Sequence, residues 1–161
     1  MAVAAALAAA SLGGCSRHPR LIAPQQITVY YCKAGSDALV RTPYTVDAKL
    51  RGLALANYAV DQLLAGPTSG QNAFVLFPPG TAISLSSAGD KVVANIEGPL
   101  ARAAPGGASD EVALFKSLTW TLTDLAGIKS VQVTVHGRKS ATLPGGEFDL
   151  EEPLTRGTFA Q

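Results

Sequence analysis

Two stretches, residues 49–65 and 110–126, restrict the fold most, because each carries apolar side chains along one helical face. In the first, Leu53, Ala56, Val60, Leu63 and Leu64 recur at helical spacing; in the second, Leu114, Phe115, Leu118, Leu122 and Leu125 do. A helix with one apolar stripe has to bury it against another element, so this chain needs a sheet or a second helix under each. Gly66 and Pro67 stop the first helix, glycine by accepting a left-handed cap and proline by being unable to continue. Ser109 is placed to cap the second, Asp110 and Glu111 complement its positive N-terminus, and Gly127 ends it.

The segments between the helices alternate with the period of two expected of strands. Ile27, Val29 and Tyr31 alternate with Thr28, Tyr30 and Cys32 over residues 27–33. Residues 39–46 are a second extended segment, and Pro43 within it favours a sheet edge. Residues 34–37 form a turn between them, so the two pair. A hairpin follows: Ile83 and Leu85 in 81–86, then Val92, Ala94 and Ile96 in 91–97, joined through Ser87-Ala88-Gly89-Asp90. Val131, Val133 and Val135 alternate with Gln132, Thr134 and His136 in a last strand. The order ββ-α-ββ-α-β predicts an α+β fold, a two-layer sandwich with two helices on one face of a mixed or antiparallel sheet. The Gly- and Pro-rich stretch 143–161 is expected to wrap the edge of the domain, and the chain contains no internal repeat.

Residues 2–12 are apolar and alanine-rich. As a helix, such a stretch reaches about 17 Å, well short of the roughly 30 Å hydrocarbon core of a bilayer, so it suits a signal peptide and not a membrane span. Leu12-Gly13-Gly14-Cys15 follows and resembles the lipobox of bacterial lipoproteins, although no Lys or Arg precedes Cys15. The resemblance implies lipidation of Cys15 and a signal peptide over residues 1–14. Residues 15–26 hold two prolines and no alternation and are read as a tether, leaving 27–161 as the domain. An acyl anchor stabilises membrane attachment by about 0.8 kcal/mol per buried methylene.

The chain has 13 basic and 12 acidic residues and a net charge of +1, with no basic run, so it lacks the electrostatic footprint of a nucleic-acid partner. His18 and His136 are its histidines, and neither has Cys or His neighbours at metal-ligand spacing; no metal or other cofactor is expected. Glu147, Asp149, Glu151 and Glu152 cluster near the C-terminus without the pattern of a calcium loop and read as a solvated tail. Residues 66–70 are glycine-rich but follow a helix and lack the lysine of a phosphate loop. No Gly-x-Ser-x-Gly elbow is present, and Cys32, inside a strand, reads as a buried and inert thiol. Trp120 falls opposite Leu114, Leu118 and Leu125, with Lys116 and Asp124 one turn away on either side. An outward Trp flanked by charges is a candidate contact hot spot; the competing reading has it covered by the C-terminal stretch.

Several pieces together resemble the GerMN domain of sporulation and spore-germination proteins. They are Val29-Tyr30-Tyr31, Leu63-Leu64-Ala65-Gly66-Pro67-Thr68, Phe77-Pro78-Pro79-Gly80-Thr81, Leu118-Thr119-Trp120-Thr121-Leu122-Thr123, Val131 to Gly137, and Pro153-Leu154-Thr155-Arg156. The resemblance covers roughly residues 27–156. It implies an envelope lipoprotein with no catalytic residues, acting in envelope protein assembly and, where the host forms spores, in sporulation or germination. The sequence is therefore read as a non-catalytic module, lipid-anchored on the extracytoplasmic face of the cell membrane, that binds an envelope protein. The alternative is a binder of cell-wall glycan or a small ligand, which would need an aromatic-lined groove from only 10 aromatic residues. An enzyme is disfavoured because no acid, base and nucleophile assemble in the pattern.

Overall fold

The computed structural model describes residues 23–33, 36, 38–68 and 70–160. Cys15, His18 and most of the tether lie outside the described residues. Among those described, no helix is long and apolar enough to cross a membrane.

The fold is α+β in two layers. β1 (Gln25–Lys33) and β2 (Leu39–Val46) pair antiparallel, and β3 (Ala73–Phe74) adds to the other side of β1. β4 (Ala82–Ala88) and β5 (Lys91–Glu97) form the hairpin, and β6 (Ser130–Val135) joins β5 in parallel. The strands thus divide into two three-stranded sheets, ordered β2-β1-β3 and β4-β5-β6. Two helices, α1 (Gly52–Ala65) and α2 (Ala108–Thr123), span both sheets: α1 packs on β1 and β4, and α2 packs on β1, β6 and α1. Pro43 lies on β2 opposite Thr28, at a sheet edge, where its missing N–H costs no ladder bond.

The elements follow the sequence pattern except for the added β3, the division into two sheets and several boundaries. α1 begins at Gly52 and not at residue 49, because Asp47 turns the chain first: its Oδ1 accepts from the Lys49 N–H at 2.8 Å and its carbonyl from the Leu50 N–H at 3.0 Å. Leu53 consequently sits in the first turn of α1, beyond the sheet, and is 37% exposed instead of lying in the buried stripe; Ala59 is buried there alongside Ala56, Val60 and Leu63. Ser109 does not cap α2, whose N-cap is Gly107 with no side-chain bond. β1 also starts at Gln25, two residues inside the stretch read as tether.

α2 is the centre of the molecule. Leu114, Phe115, Leu118, Leu122 and, just beyond the helix, Leu125 are buried as the stripe requires, but so are Glu111, one turn before Leu114 and Phe115 on the same face, and Ser117, Thr119 and Thr121 beside it. Two of these hydroxyls have partners: Ser117 donates to the Leu114 carbonyl at 2.8 Å within the helix, and Thr121 Oγ1 accepts the backbone N–H of Tyr30 at 3.0 Å from across the fold. That second bond satisfies a donor of β1 to which β3, two residues long, does not reach. On the α1 side, the Tyr31 hydroxyl lies 2.7 Å from the Gln62 carbonyl and 2.8 Å from the Tyr44 hydroxyl, fastening the helix end to the sheet.

The C-terminal stretch closes the remaining side of α2. Leu143, Leu150 and Leu154 are each no more than 2% exposed, and burying a leucine is worth about 1.5–3 kcal/mol relative to leaving it in water. Leu154 bridges to Val131 of β6, and Phe148 stacks on Phe115 at 5.2 Å. Glu111 holds the turn before Phe148: its Oε2 accepts the backbone N–H of Glu147 at 2.7 Å and of Phe148 at 3.3 Å. A Cβ at Gly146 would collide with Glu111 Oε1, so a side chain there would displace the carboxylate. The expected wrapping of the domain edge is thus a full wall of the core.

Candidate functional site

Trp120 leaves α2 on the side where β1, β2 and the C-terminal stretch meet, and it is half-buried. The chain ends in a 3₁₀ turn, Arg156–Phe159, laid against this side. Phe159 meets the Trp120 ring edge-on, with centroids 5.5 Å apart, and stacks on Phe148 at 5.6 Å. One edge of Trp120 is therefore packed by the C-terminal stretch while its faces meet cations.

Those cations form a ladder with the aromatic rings. Arg41 of β2 lies 5.8 Å from the Tyr30 ring of β1, and Arg156 lies 5.9 Å from the same ring. Arg156 is also 5.6 Å from the Trp120 ring, and Lys116, one turn along α2, is 5.9 Å from it. The order across the surface is Arg41, Tyr30, Arg156, Trp120, Lys116. The four pairs share Tyr30, Arg156 and Trp120, so they form one connected surface.

Asp124, the C-cap of α2, organises the middle of the ladder. Its Oδ1 is 2.8 Å from Arg156 Nη2 and accepts from the Tyr30 hydroxyl at 3.1 Å. Arg156 Nε donates to Thr123 Oγ1 at 3.1 Å, which sets the guanidinium plane between the two rings. Burial, and then the Asp124 carboxylate beside it, raise the Tyr30 phenol above its ordinary value, so it stays a neutral donor. Trp120, Lys116 and Asp124, which the sequence brings together by helical spacing, do share this surface. Tyr30, Arg41, Arg156 and Phe159 were not legible as members: they come from three other elements, and the cation–aromatic alternation exists only in space.

The remaining candidates fall elsewhere. Cys32 is buried and free, its Sγ 3.5 Å from the Ala113 carbonyl, and burial pushes its thiol up to about 11. His136 is exposed, with a left-handed backbone (φ 49°), and its Nδ1 lies 2.7 Å from Glu97 Oε2. A hydrogen bond from Asn95 and then the one to His136 hold the Glu97 carboxyl below its usual range. Glu147, Asp149, Glu151 and Glu152 are not gathered around a point: Asp149 Oδ1 accepts the Glu151 N–H, and among the described residues no three His, Cys, Asp or Glu side chains converge as a metal site.

The profile of the Germane family, described as sporulation and spore germination, matches residues 28–141. The chain belongs to this family. The Germane fold is seen in three similar solved structures. The first GerMN domain of the sporulation protein GerM from Bacillus subtilis is 19% identical with a TM-score of 0.62, over 83% of this chain and 98% of that one. The tandem GerMN domains of the same protein give 22% and 0.59, over 90% of this chain and 50% of that one, so this Germane chain spans half of the two-domain structure. A structure described as "Putative Lipoprotein from Clostridium perfringens" gives 20% and 0.58, over 85% and 91% of the two chains. No curated protein matches the sequence. The Germane family is not known for catalytic residues, which leaves the ladder as the most elaborated polar surface to interpret.

Proposed function

We propose that this Germane chain is a lipid-anchored envelope protein whose domain carries out no chemistry and docks an envelope protein through the ladder around Trp120. Its setting is sporulation or germination where the host forms spores, in line with the family's description. The observation that carries the reading is the ladder itself. Trp and Arg are among the residue types that dominate binding energy at interfaces, and here a single partly open surface presents Trp120, Arg41 and Arg156 in fixed geometry around the buried Tyr30. Arg41 and Arg156 are exposed on this surface, so the complementary partner surface is acidic. The Leu12-Gly13-Gly14-Cys15 motif supports the anchor, which would hold the domain beside membrane-bound partners and raise its effective concentration there.

The test is affinity capture from detergent-solubilised membranes with the full chain, the Arg41→Glu/Lys116→Glu double variant and Cys15→Ser. The double variant is expected to remain in the membrane fraction and lose captured partner at least tenfold. Cys15→Ser is expected to leave the membrane fraction. Equal capture by the double variant would remove the ladder from the account, and wild-type membrane recovery of Cys15→Ser would remove the anchor.

A further inference from the structure

At the opposite end of α2 from its N-terminus, four loops surround a cleft of about 500 Å³. They are the start of β1 (Gln25), the entry to α1 (Arg51–Leu53), the β4–β5 turn (Gly89, Lys91) and the α2–β6 loop (Leu125–Ile128). Val92 and Leu125, both buried, floor it, with Leu55 and Ile128 half-buried beside them. Leu53 stands at its rim and is the large apolar side chain that the described residues leave exposed. The charged lining residues are Arg51 and Lys91, and no acidic side chain lines it. Asp90, in the same turn as Lys91, is occupied by Lys129 at 3.0 Å, and that pairing holds its carboxyl below the usual range.

We infer that this cleft docks onto the surface of an anionic phospholipid bilayer, with Arg51 and Lys91 at the phosphates and Leu53 entering the headgroup region. The inference rests on the proposed anchor at Cys15 for its geometry. Residues 16–24 separate Cys15 from Gln25, and the ten steps between them span at most about 36 Å when fully extended, so the cleft is always within about that distance of the membrane. Gln25 both lines the cleft and receives the tether, and it is locked there by its Nε2 donating to the Leu50 carbonyl at 2.6 Å. The chain therefore enters the fold at the rim of the cleft. The tether adds Arg17 and Arg20, of the same sign, between the anchor and this end. A cationic rim around an apolar floor, presented at the point of tethering, complements headgroup phosphate over acyl chain. Each lysine or arginine held near an anionic surface is worth about 1 kcal/mol, roughly fivefold in occupancy.

The test uses the full chain isolated from membranes and mixed with phosphatidylcholine vesicles, with and without phosphatidylglycerol. Lysine acetylation is read by mass spectrometry at Lys91 and at Lys139, a control on the far stretch. Lys91 is expected to be protected at least fivefold when phosphatidylglycerol is present, to regain reactivity at high salt, and to show no protection in an Arg51→Glu variant of unchanged melting temperature. Lys139 is expected to react alike throughout. Attachment to pure phosphatidylcholine reports the anchor separately: if neutral vesicles hold nothing but phosphatidylglycerol vesicles protect Lys91, the anchor fails and the cleft inference stands. Equal Lys91 reactivity with and without phosphatidylglycerol overturns it. Protection that rises with protein concentration in the absence of vesicles also overturns it, by assigning the cleft to a second copy.

Discussion

α1 and α2 look alike in the sequence and live in different surroundings. α1 buries Ala56, Ala59, Val60 and Leu63 on one side and gives the rest to solvent or to partial cover. α2 is covered by β1, by β6, by α1 and by the C-terminal stretch, which leave its first turn and the side of Val112, Lys116 and Trp120 partly open, yet even Glu111, Thr119 and Thr121 are buried. The lesson is that a helix's apolar stripe reports only the partner it meets first. Beyond the stripe's first partner, the C-terminal stretch lays down a second cover, and two buried polar groups of α2 meet backbone: Thr121 a strand N–H, Glu111 a turn's N–H groups. The docking ladder lies along the seam where that second cover is laid down.

Substitutions can break this contrast, and their sizes should follow the burial. The largest effect belongs to Leu118→Ala in the stripe of α2, a fully buried position, with an expected loss of about 2–5 kcal/mol in denaturant unfolding. Glu111→Ala comes next. It removes the acceptor of the part-buried Glu147 and Phe148 N–H groups, a cost of about 1 kcal/mol. Hydrogen exchange should speed up at those two amides ahead of β1, showing that the C-terminal wall loosens before the core. If Glu111→Ala unfolds with no local change in exchange, the wall is not a separable layer. Leu53→Ala is the smallest, within about 0.5 kcal/mol of wild type in the same measurement, because Leu53 is exposed in the first turn of α1. A loss above 2 kcal/mol there would mean that α1 is covered where the structure leaves it open.

The same contrast explains what could be read in advance. The strands of the two hairpins, both helices and the edge position of β2 follow from alternation, helical spacing and Pro43, all of which are local. The division into two sheets, the parallel pairing of β6 with β5 and the two-residue β3 are choices between distant segments that no local pattern records. Trp120, Lys116 and Asp124 were accessible because helical spacing is local too. Arg156 and Tyr30 were not, since they approach one another across most of the chain. The late start of α1 was missed for a different reason: Leu53 fits the stripe, and only the turn bonded by Asp47 shows that the helix begins too late to bury it.

The central claim is that the Trp120 surface exists to bind and not merely to seal α2 beneath the C-terminal stretch. Trp120→Ala tests it most directly, with melting temperature and captured envelope partner measured on the same preparation. The account predicts a melting temperature lowered by no more than a few degrees, reflecting the lost edge contact with Phe159, together with at least a tenfold loss of partner. A fall of more than about ten degrees with partner capture unchanged per folded molecule would contradict it and make Trp120 a packing residue.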